Sequence, residues 1–220
     1  MERAAIGLPP GAPIDAAGQD LRKYSSRQPL VRWLVKRWLH RLRLTLGPTG
    51  LLIDVGAGEG IATSRIDPTG AFVVAVDYRR DKLTLARERL PGAALIQADA
   101  GLLPLRDGAA STVTCIEVLE HLTNPELAVA ELARVAAVRC VVSVPWEPWF
   151  RLGNLLRGKN VRRLGNDPEH VQWYRPATLA ESLKTAFDDV QVRSCFPWLV
   201  AVARPARRPR PAAPGGAARG

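Results

Sequence analysis

The sequence predicts an α/β fold in which a mostly parallel sheet carries helices on both faces. The first observation is an apolar run at 51–55, LLIDV, followed by three closely spaced glycines, which is typical of a buried strand turning sharply toward a ligand. The second is the alternation of short apolar runs with helical patterns along the rest of the chain. The third is a pair of apolar segments, 190–196 and 198–203, which indicates a closing β-hairpin.

The length and composition of the chain predict one domain that is large enough to bury a complete hydrophobic core. It has 220 residues, of which 47% are apolar, and no stretch approaches the roughly 18 consecutive apolar residues of a membrane-spanning helix. We expect no signal peptide, because the N-terminus lacks an apolar segment. The widely spaced Cys115, Cys140 and Cys195 predict small buried side chains in a reducing compartment, and therefore a cytoplasmic protein.

The formal net charge of +10 depends partly on the C-terminal segment. Residues 204–220 contain five arginines among Pro, Ala and Gly, with no acidic residue. Such a composition cannot bury enough surface to offset chain entropy, so we expect a disordered basic tail. Residues 1–20 have a similar composition, which leaves 21–203 as the folded domain. The domain itself is only moderately basic, and this weakens any argument for nucleic acid binding from total charge.

Segment 27–46 predicts the first helix, and Gly47-Pro48 ends it. Its apolar residues recur at helical spacing, and the segment has no acidic residue. The predicted inner residues are Val31, Leu34, Val35, Trp38 and Leu42. We expect the helix to pack on the sheet with a solvated basic face. Peripheral contact with a membrane surface or an anionic substrate is the alternative.

The glycine turn after the first strand predicts a cofactor site, because glycine lets a bound group approach the main chain closely. The dinucleotide motif G-x-G-x-x-G needs a third glycine where this chain has Ile61. Asp54, just before the glycines, is also not part of that motif. The stretch instead resembles D-x-G-x-G-x-G, the first motif of the class I S-adenosylmethionine (SAM) methyltransferases. The resemblance covers residues 20–203.

This resemblance implies a Rossmann-like, seven-stranded, mostly parallel sheet with helices on both faces and an antiparallel C-terminal hairpin. It also implies that the glycine loop surrounds the methionine part of SAM. The loop residues carried over from the motif are Asp54, Gly56, Ala57, Gly58 and Gly60.

Asp77-Tyr78 follows the second predicted strand, 71–76, and belongs to the predicted cofactor site. A carboxylate at this point can accept hydrogen bonds from two ribose hydroxyls, which serves NAD and SAM alike. The alternative is that Asp77 only caps the helix predicted over 79–90.

Asp99-Ala100 follows the third predicted strand, 93–98. In the resembling family this pair holds the adenine, and a carboxylate is an apt acceptor for its exocyclic amine. The phrase ADAGLLPLRDGAASTVTCIEVLEHL spans the next loop and the fourth predicted strand, 111–116. It is similar to the methyltransferase type 11 group.

A long connection at 146–175 predicts a substrate lid. It comes after a helix that begins at Pro125 and a fifth strand over 139–144, at the edge where an acceptor would lie. Its aromatic residues could stack on a planar substrate and its arginines could hold phosphate or carboxylate. Alternatively, the aromatic residues only cover the core. A helix over 176–187 then leads to the hairpin.

Four residues form a candidate catalytic group. Glu117, Glu120 and His121 have the spacing E-x-x-E-H after the fourth strand, and His170 lies in the lid. If a helical turn begins at Glu117, the first three share one face. Carboxylates and imidazoles together can hold Mg²⁺ or Mn²⁺. Without a metal, His121 or His170 is the best candidate for a general base.

This pattern is similar to two metal-dependent groups, the ubiquinone-biosynthesis O-methyltransferases and the small-RNA 3′-terminal 2′-O-methyltransferases. The similarity implies that Glu117, Glu120, His121 and His170 bind the metal, with Glu117 also close to the reacting end of SAM. Such a metal would activate the attacking hydroxyl. The phrase V-L-E-H-L also occurs in type 11 enzymes that need no metal, so catalysis with and without a metal both stay open.

We therefore expect a SAM-dependent methyltransferase that acts on an O or N nucleophile of a small-molecule or lipid-linked metabolite. No Asp/Asn-Pro-Pro-Tyr motif follows the fourth strand, which argues against amino-group methylation of nucleobases or glutamine. Metal-assisted RNA 2′-O-methylation is the second hypothesis, supported by the basic lid and His170. An NAD-dependent oxidoreductase is a third hypothesis, and a SAM-binding module without catalysis is a fourth.

Overall fold

The computed structural model describes residues 24, 28–66, 70–156, 164 and 170–206. The segment 1–20 and the tail beyond 206, both predicted to be disordered, lie outside these residues, as does much of the predicted lid. Within the described part of the chain, no helix is both long enough and apolar enough to cross a membrane.

Helices and strands alternate along the described chain. The helices are α1 (Pro29–Leu46), α2 (Ile61–Ile66), α3 (Arg80–Arg89), α4 (Pro125–Val135), α5 (Trp149–Leu156) and α6 (Pro176–Lys184). The strands are β1 (Leu51–Val55), β2 (Phe72–Asp77), β3 (Ala94–Gln97), β4 (Ala110–Ile116), β5 (Ala136–Pro145), β6 (Asp189–Cys195) and β7 (Trp198–Arg204). A 3₁₀ helix, Leu119–His121, follows β4.

The seven strands form one sheet in the order β3-β2-β1-β4-β5-β7-β6. Strands β1 to β5 pair in parallel, and β7 runs antiparallel to both β5 and β6. The predicted fold is confirmed. The strand order reverses between β1 and β4, and open α/β sheets bind their ligands beyond the carboxyl ends of the strands at such a point.

Two apolar clusters cover the two faces of this sheet. Side chains alternate between the faces along each strand, so Leu52 joins the cluster under α1 and α2, whereas Ile53 joins the cluster under α4 and α6. The free cysteines Cys115, Cys140 and Cys195 are all buried, as predicted.

Helix α1 packs on the sheet, which confirms the preferred interpretation of its inner face. Its buried residues are Val35, Trp38, Leu39, Leu42 and Leu46. The Trp38 ring stacks on Trp198 with centroids 4.7 Å apart, and its indole N–H donates to Ser143 Oγ at 2.9 Å. Val31 and Leu34, also predicted to face inward, are only partly buried because they lie at the margin of this face.

Several predicted boundaries differ from the structure by one to three residues. Strand β5 begins at Ala136 instead of 139, since α4 ends at Val135 and the chain enters the sheet at once. Arg204, assigned from sequence to the disordered tail, is the last residue of β7 and forms an ion pair with Asp189.

Candidate functional site

The glycine loop after β1 is fixed by the main chain of the neighbouring strand. The backbone N–H groups of Gly56 and Ala57 both donate to the carbonyl oxygen of Val76, at 2.8 and 3.0 Å. The N–H of Gly58 donates to Asp77 Oδ2 at 2.8 Å. The end of β2 therefore holds the loop in place through three hydrogen bonds.

Gly56 is required both by its backbone conformation and by its packing. Its φ is +75°, in the left-handed region, and a Cβ built there would lie 2.2 Å from Cγ2 of Val118. The loop therefore presses directly against the chain that follows β4. Any side chain at this position would strain the backbone and push the two segments apart.

The Asp77 carboxylate is buried and anchored by two backbone amides. Only 6% of the residue is exposed, and its second oxygen, Oδ1, accepts from the N–H of Arg79 at 2.8 Å. A carboxylate offers about four lone-pair positions. The two anchoring bonds therefore fix the group in orientation and leave it able to accept hydroxyl donors.

Asp54 lies beneath the loop, only 3% exposed. Its Oδ1 accepts from the hydroxyl of Thr114 at 2.7 Å, and its Oδ2 accepts from the hydroxyl of Thr63. Burial raises the pKa of Asp54 from 3.8 to about 6, although both hydroxyl hydrogen bonds oppose the shift. The structure gives this residue a bracing role between β1, α2 and β4. A direct contribution to cofactor binding stays a prediction.

The remaining predicted cofactor residues lie at the same edge of the sheet. Asp99 Oδ1 accepts from the N–H of Gly101 at 2.7 Å, which forms a tight turn beyond β3. Ala100 is partly buried in this turn, and Tyr78 is 41% exposed beyond β2. The N–H of Ala98 donates to the carbonyl of Asp77 at 3.1 Å and joins the two turns.

Glu117 adopts a left-handed backbone conformation, with φ +56°. Its N–H donates to the carbonyl of Ser143 at 2.7 Å, and its Oε1 accepts from the indole N–H of Trp198 at 2.5 Å. No helical turn begins at Glu117, so the condition under which Glu117, Glu120 and His121 would share one helix face is not met. Non-glycine residues in this region cost free energy and are concentrated at functional sites.

The structure brings together three of the four predicted metal ligands. One ligand atom from each of Glu120, His121 and His170 lies within 4.8 Å of the other two. Glu117 is not a member of this group, because its backbone turns the side chain toward Trp198. Three of the four predicted ligands therefore form a cluster, and metal binding by any of the four stays a prediction.

The cluster joins the 3₁₀ helix to the end of the lid. The carbonyl of Glu120 accepts from the N–H groups of both Val171 and Gln172, at 2.9 and 3.0 Å. The imidazoles of His121 and His170 meet edge to face with centroids 5.1 Å apart. Glu120 is 1% exposed and His170 is 8% exposed, so a carboxylate and an imidazole are held together away from bulk water.

Sequence reasoning missed three residues that shape the site. Trp198 orients Glu117 from 81 residues away, and no local pattern signals this contact. Glu59 is buried within the glycine loop and pairs with Arg89 on α3, with 3.3 Å between Oε2 and the guanidinium. Glu147, two residues after the end of β5, is also buried. Burial raises its pKa, and the backbone N–H and charge of Arg151 offset the rise only in part. A lone acid within the aromatic phrase PWEPWF is the signal that could have identified it.

The two sides of the site differ in their chemistry. Beyond β1, β2 and β3 the edge offers glycine backbone and fixed carboxylates, which suit a ligand rich in hydroxyl and amine donors. Beyond β4 and β5 it offers a carboxylate, two imidazoles and aromatic rings. Imidazole is the side chain that titrates nearest neutral pH, so this side can accept or donate a proton.

The chain is similar to known methyltransferases. Residues 53–141 match the family model described as a methyltransferase domain. A demethylmenaquinone methyltransferase of Clavibacter sepedonicus is 32% identical over 190 residues, which cover 74% of this chain and 78% of that protein.

Two solved structures share the fold. Magnesium protoporphyrin IX methyltransferase of Synechocystis PCC 6803, with bound SAH, has a TM-score of 0.63 at 17% identity and covers 84% of this chain and 93% of its own. A SAM-dependent methyltransferase of Thermotoga maritima has a TM-score of 0.62 at 16% identity, with coverage of 79% and 93%.

Proposed function

Because the chain belongs to the class I SAM-dependent methyltransferases, we propose that it methylates an O or N atom of a small-molecule or lipid-linked acceptor. The observation that carries the proposal is the cluster of Glu120, His121 and His170 at the carboxyl edge of the sheet, in which Glu120 and His170 are buried and His121 is partly buried. A proton-accepting group there suits an acceptor that must lose a proton to become nucleophilic.

The residues beyond β1 to β3 fit SAM. Asp77 would hold the two ribose hydroxyls, since its carboxylate is already oriented by two backbone amides. Asp99 would accept from the adenine amine, and the glycine loop would contact the methionine part. When bound, SAM supplies an electrophilic methyl group on a sulfonium centre. The protein contributes mainly by positioning the two reactants and excluding water.

His121 or His170 would take the proton from the acceptor hydroxyl or amine. The Glu120 carboxylate lies beside both imidazoles and would stabilise the cation formed on either one. Glu117, held by Trp198, would orient the reacting groups between the cofactor and this cluster. The arrangement therefore provides a base, a carboxylate that supports it and a positioning group.

A lipid-linked or planar acceptor is supported by two observations. The similar protein of Clavibacter sepedonicus is named for demethylmenaquinone. Exposed aromatic side chains also follow β5 and β6, where Trp149 and Phe196 are each 43% exposed with ring centroids 6.1 Å apart. Such rings can stack on a flat acceptor.

The test is a methyl-transfer assay with labelled SAM and three acceptors: demethylmenaquinol, the reduced form of demethylmenaquinone that carries the hydroxyls which the proposal needs, a short-chain analogue of it, and a small RNA. The proposal predicts transfer to a small-molecule or lipid-linked acceptor, with mass spectrometry and NMR locating the methyl group on O or N. Transfer to RNA alone would overturn the acceptor class. A methyl group found on carbon would overturn the proposed nucleophile and leave the family unaffected.

Metal assistance is a second candidate, favoured by the convergence of Glu120, His121 and His170. A carboxylate and two imidazoles form a donor set suited to a divalent transition metal such as Mn²⁺, and a bound metal would lower the pKa of an acceptor hydroxyl. The metal would make activity sensitive to chelation and restorable by Mn²⁺ or Mg²⁺. Full activity in excess chelator would exclude metal assistance, and one of the two imidazoles would then be the base.

A further inference from the structure

We propose that the outer face of α1, with the arginine-lined cavity beside its C-terminal end, is a docking surface for an anionic lipid bilayer. The inner face of this helix packs on the sheet. The proposal goes beyond the proposed function, because it concerns a different surface and does not depend on the identity of the acceptor.

The outer face of α1 exposes large apolar side chains. Leu30, Trp33 and Leu44 are 67%, 55% and 65% exposed. Their separations of three and eleven residues place them on one stripe of the helix. Exposed apolar patches mark interaction sites, and tryptophan is enriched where proteins meet the membrane–water interface.

Basic side chains surround this apolar stripe, and α1 contains no acidic residue. The exposed cations of the helix are Arg32, Lys36, Arg37, Arg41 and Arg43. Arg37 lies over the Trp33 ring, with 5.3 Å from Cζ to the ring centroid. An apolar stripe with cations on both sides is typical of a helix that lies in the headgroup region of an anionic membrane.

A cavity of about 220 Å³ extends this surface past the end of the helix. Four arginines and no acidic residue line it: Arg41, Arg139, Arg193 and Arg204. Arg204 is paired with Asp189. Arg139 has a buried Nε without a hydrogen-bond acceptor among the described residues. Guanidinium groups placed in this way match the oxygens of a phosphate, such as that of a lipid headgroup.

The helix face and the cavity form one continuous surface. Arg41 and Leu44 belong to both, because they lie on the outer side of α1 and also line the cavity. A bilayer in contact with the helix would therefore bring lipid phosphates to the arginines.

The direction of α1 links this surface to the active-site edge. The helix runs antiparallel to β5, since Trp38 bonds Ser143 near the end of that strand and Gly47 packs on Arg139 near its beginning. The N-terminal end of α1 therefore points toward the carboxyl edge of the sheet, and the apolar stripe begins there with Leu30.

A nucleic acid fits the surface less well than a bilayer. Proteins that bind single strands stack bases on exposed aromatic rings. Here Leu30 and Leu44 are aliphatic, and the Arg37 guanidinium occupies one face of the Trp33 ring. The combination of aliphatic exposure and positive charge favours a lipid surface.

The test is flotation of the full chain with vesicles of phosphatidylcholine, with or without about a third phosphatidylglycerol. The expected result is at least ~10-fold tighter binding to the anionic vesicles, weakened by salt because the charges on the surface are screened. Equal binding to both vesicles, or to neither, would overturn the proposal.

Two double variants test the surface itself, Trp33→Ala with Leu44→Ser and Arg37→Gln with Arg41→Gln. Each should weaken vesicle binding by at least ~10-fold while melting temperature and SAM affinity stay unchanged. The matched control is Arg87→Gln with Lys184→Gln, which removes the same charge from exposed positions on α3 and α6 and should keep nearly full binding.

Three results would contradict the assignment. If both double variants bind anionic vesicles as tightly as the native chain, the binding would instead be assigned to the arginines beyond residue 206. An equal loss in the control would show that only net charge matters. Displacement from vesicles by a short RNA, with RNA affinity lost in the same variants, would assign the surface to nucleic acid.

Discussion

The proposed cofactor side of the carboxyl edge, beyond β1 to β3, and the proposed acceptor side, beyond β4 and β5, are held in place by different means. On the cofactor side, backbone amides of nearby turns fix the polar side chains, as Gly58 and Arg79 fix Asp77. On the acceptor side, contacts from distant parts of the chain do this, as Trp198 fixes Glu117. His170 similarly reaches His121 from the far end of the lid.

This difference predicts that the two sides tolerate amino-acid substitutions to different degrees. A turn that supplies its own hydrogen bonds keeps its shape while the segments around it change, and so one cofactor site can serve many acceptors. A cluster assembled from separate segments depends on the packing of each of them. We therefore expect the cofactor side to withstand substitution on the acceptor side, and the predictions below test that independence.

The largest expected effect is on turnover, from His121→Asn and His170→Asn. The variant that removes the base should lower kcat by about 10²–10⁴-fold and lose the rise of kcat with pH. SAM affinity should stay unchanged, because the cluster lies on the acceptor side. The comparison requires kcat and SAM Kd for each variant. The control is His40→Asn, at an exposed position on α1. A native kcat in both variants would show that neither histidine is the general base.

Next in size is the cost of a side chain in the glycine loop. Gly56→Ala should lower the free energy of unfolding by about 2–5 kcal/mol, from left-handed strain plus the clash with Val118. Gly70→Ala has a similar φ of +78° in open space and should cost about 1–2 kcal/mol. Gly50→Ala, open and free of that strain, should be nearly neutral. Urea unfolding measures these free energies. Equal losses of unfolding free energy in the Gly56 and Gly70 variants would show that the contact with Val118 contributes nothing.

A smaller effect concerns the buried Asp54. Its pKa is about 6 in the folded protein against 3.8 ordinarily, so the native state binds the proton more tightly than the unfolded chain. Ionisation therefore lowers stability as pH rises from about 4 to 6, and stability recovers as pH falls. Asp54→Asn should be more stable than the native chain at pH 7 by about 2–3 kcal/mol, with the difference vanishing near pH 4. A pH-independent difference in unfolding free energy would contradict this.

The placement of the proposed cofactor residues at one edge of the sheet could be predicted from sequence because it depends on local patterns. The glycines and the acids at 77 and 99 each follow a strand directly, so spacing alone locates them at one edge. The acceptor side could not be predicted as fully. Glu117 has a positive φ and contacts β5 and β7, and the E-x-x-E-H spacing does not indicate this conformation. The membership of His170 in the cluster was predicted, but only through resemblance.

The central claim is that this edge holds SAM through Asp77, and calorimetric titration tests it most directly. We predict that the native protein binds SAM and not NAD, and that Asp77→Asn, while still folded, weakens SAM binding by at least ~10-fold, about 1.4 kcal/mol. Asp188→Asn, at an exposed position before β6, should bind as the native chain does. Unchanged SAM affinity in folded Asp77→Asn, or NAD binding as tight as SAM binding, would contradict the account.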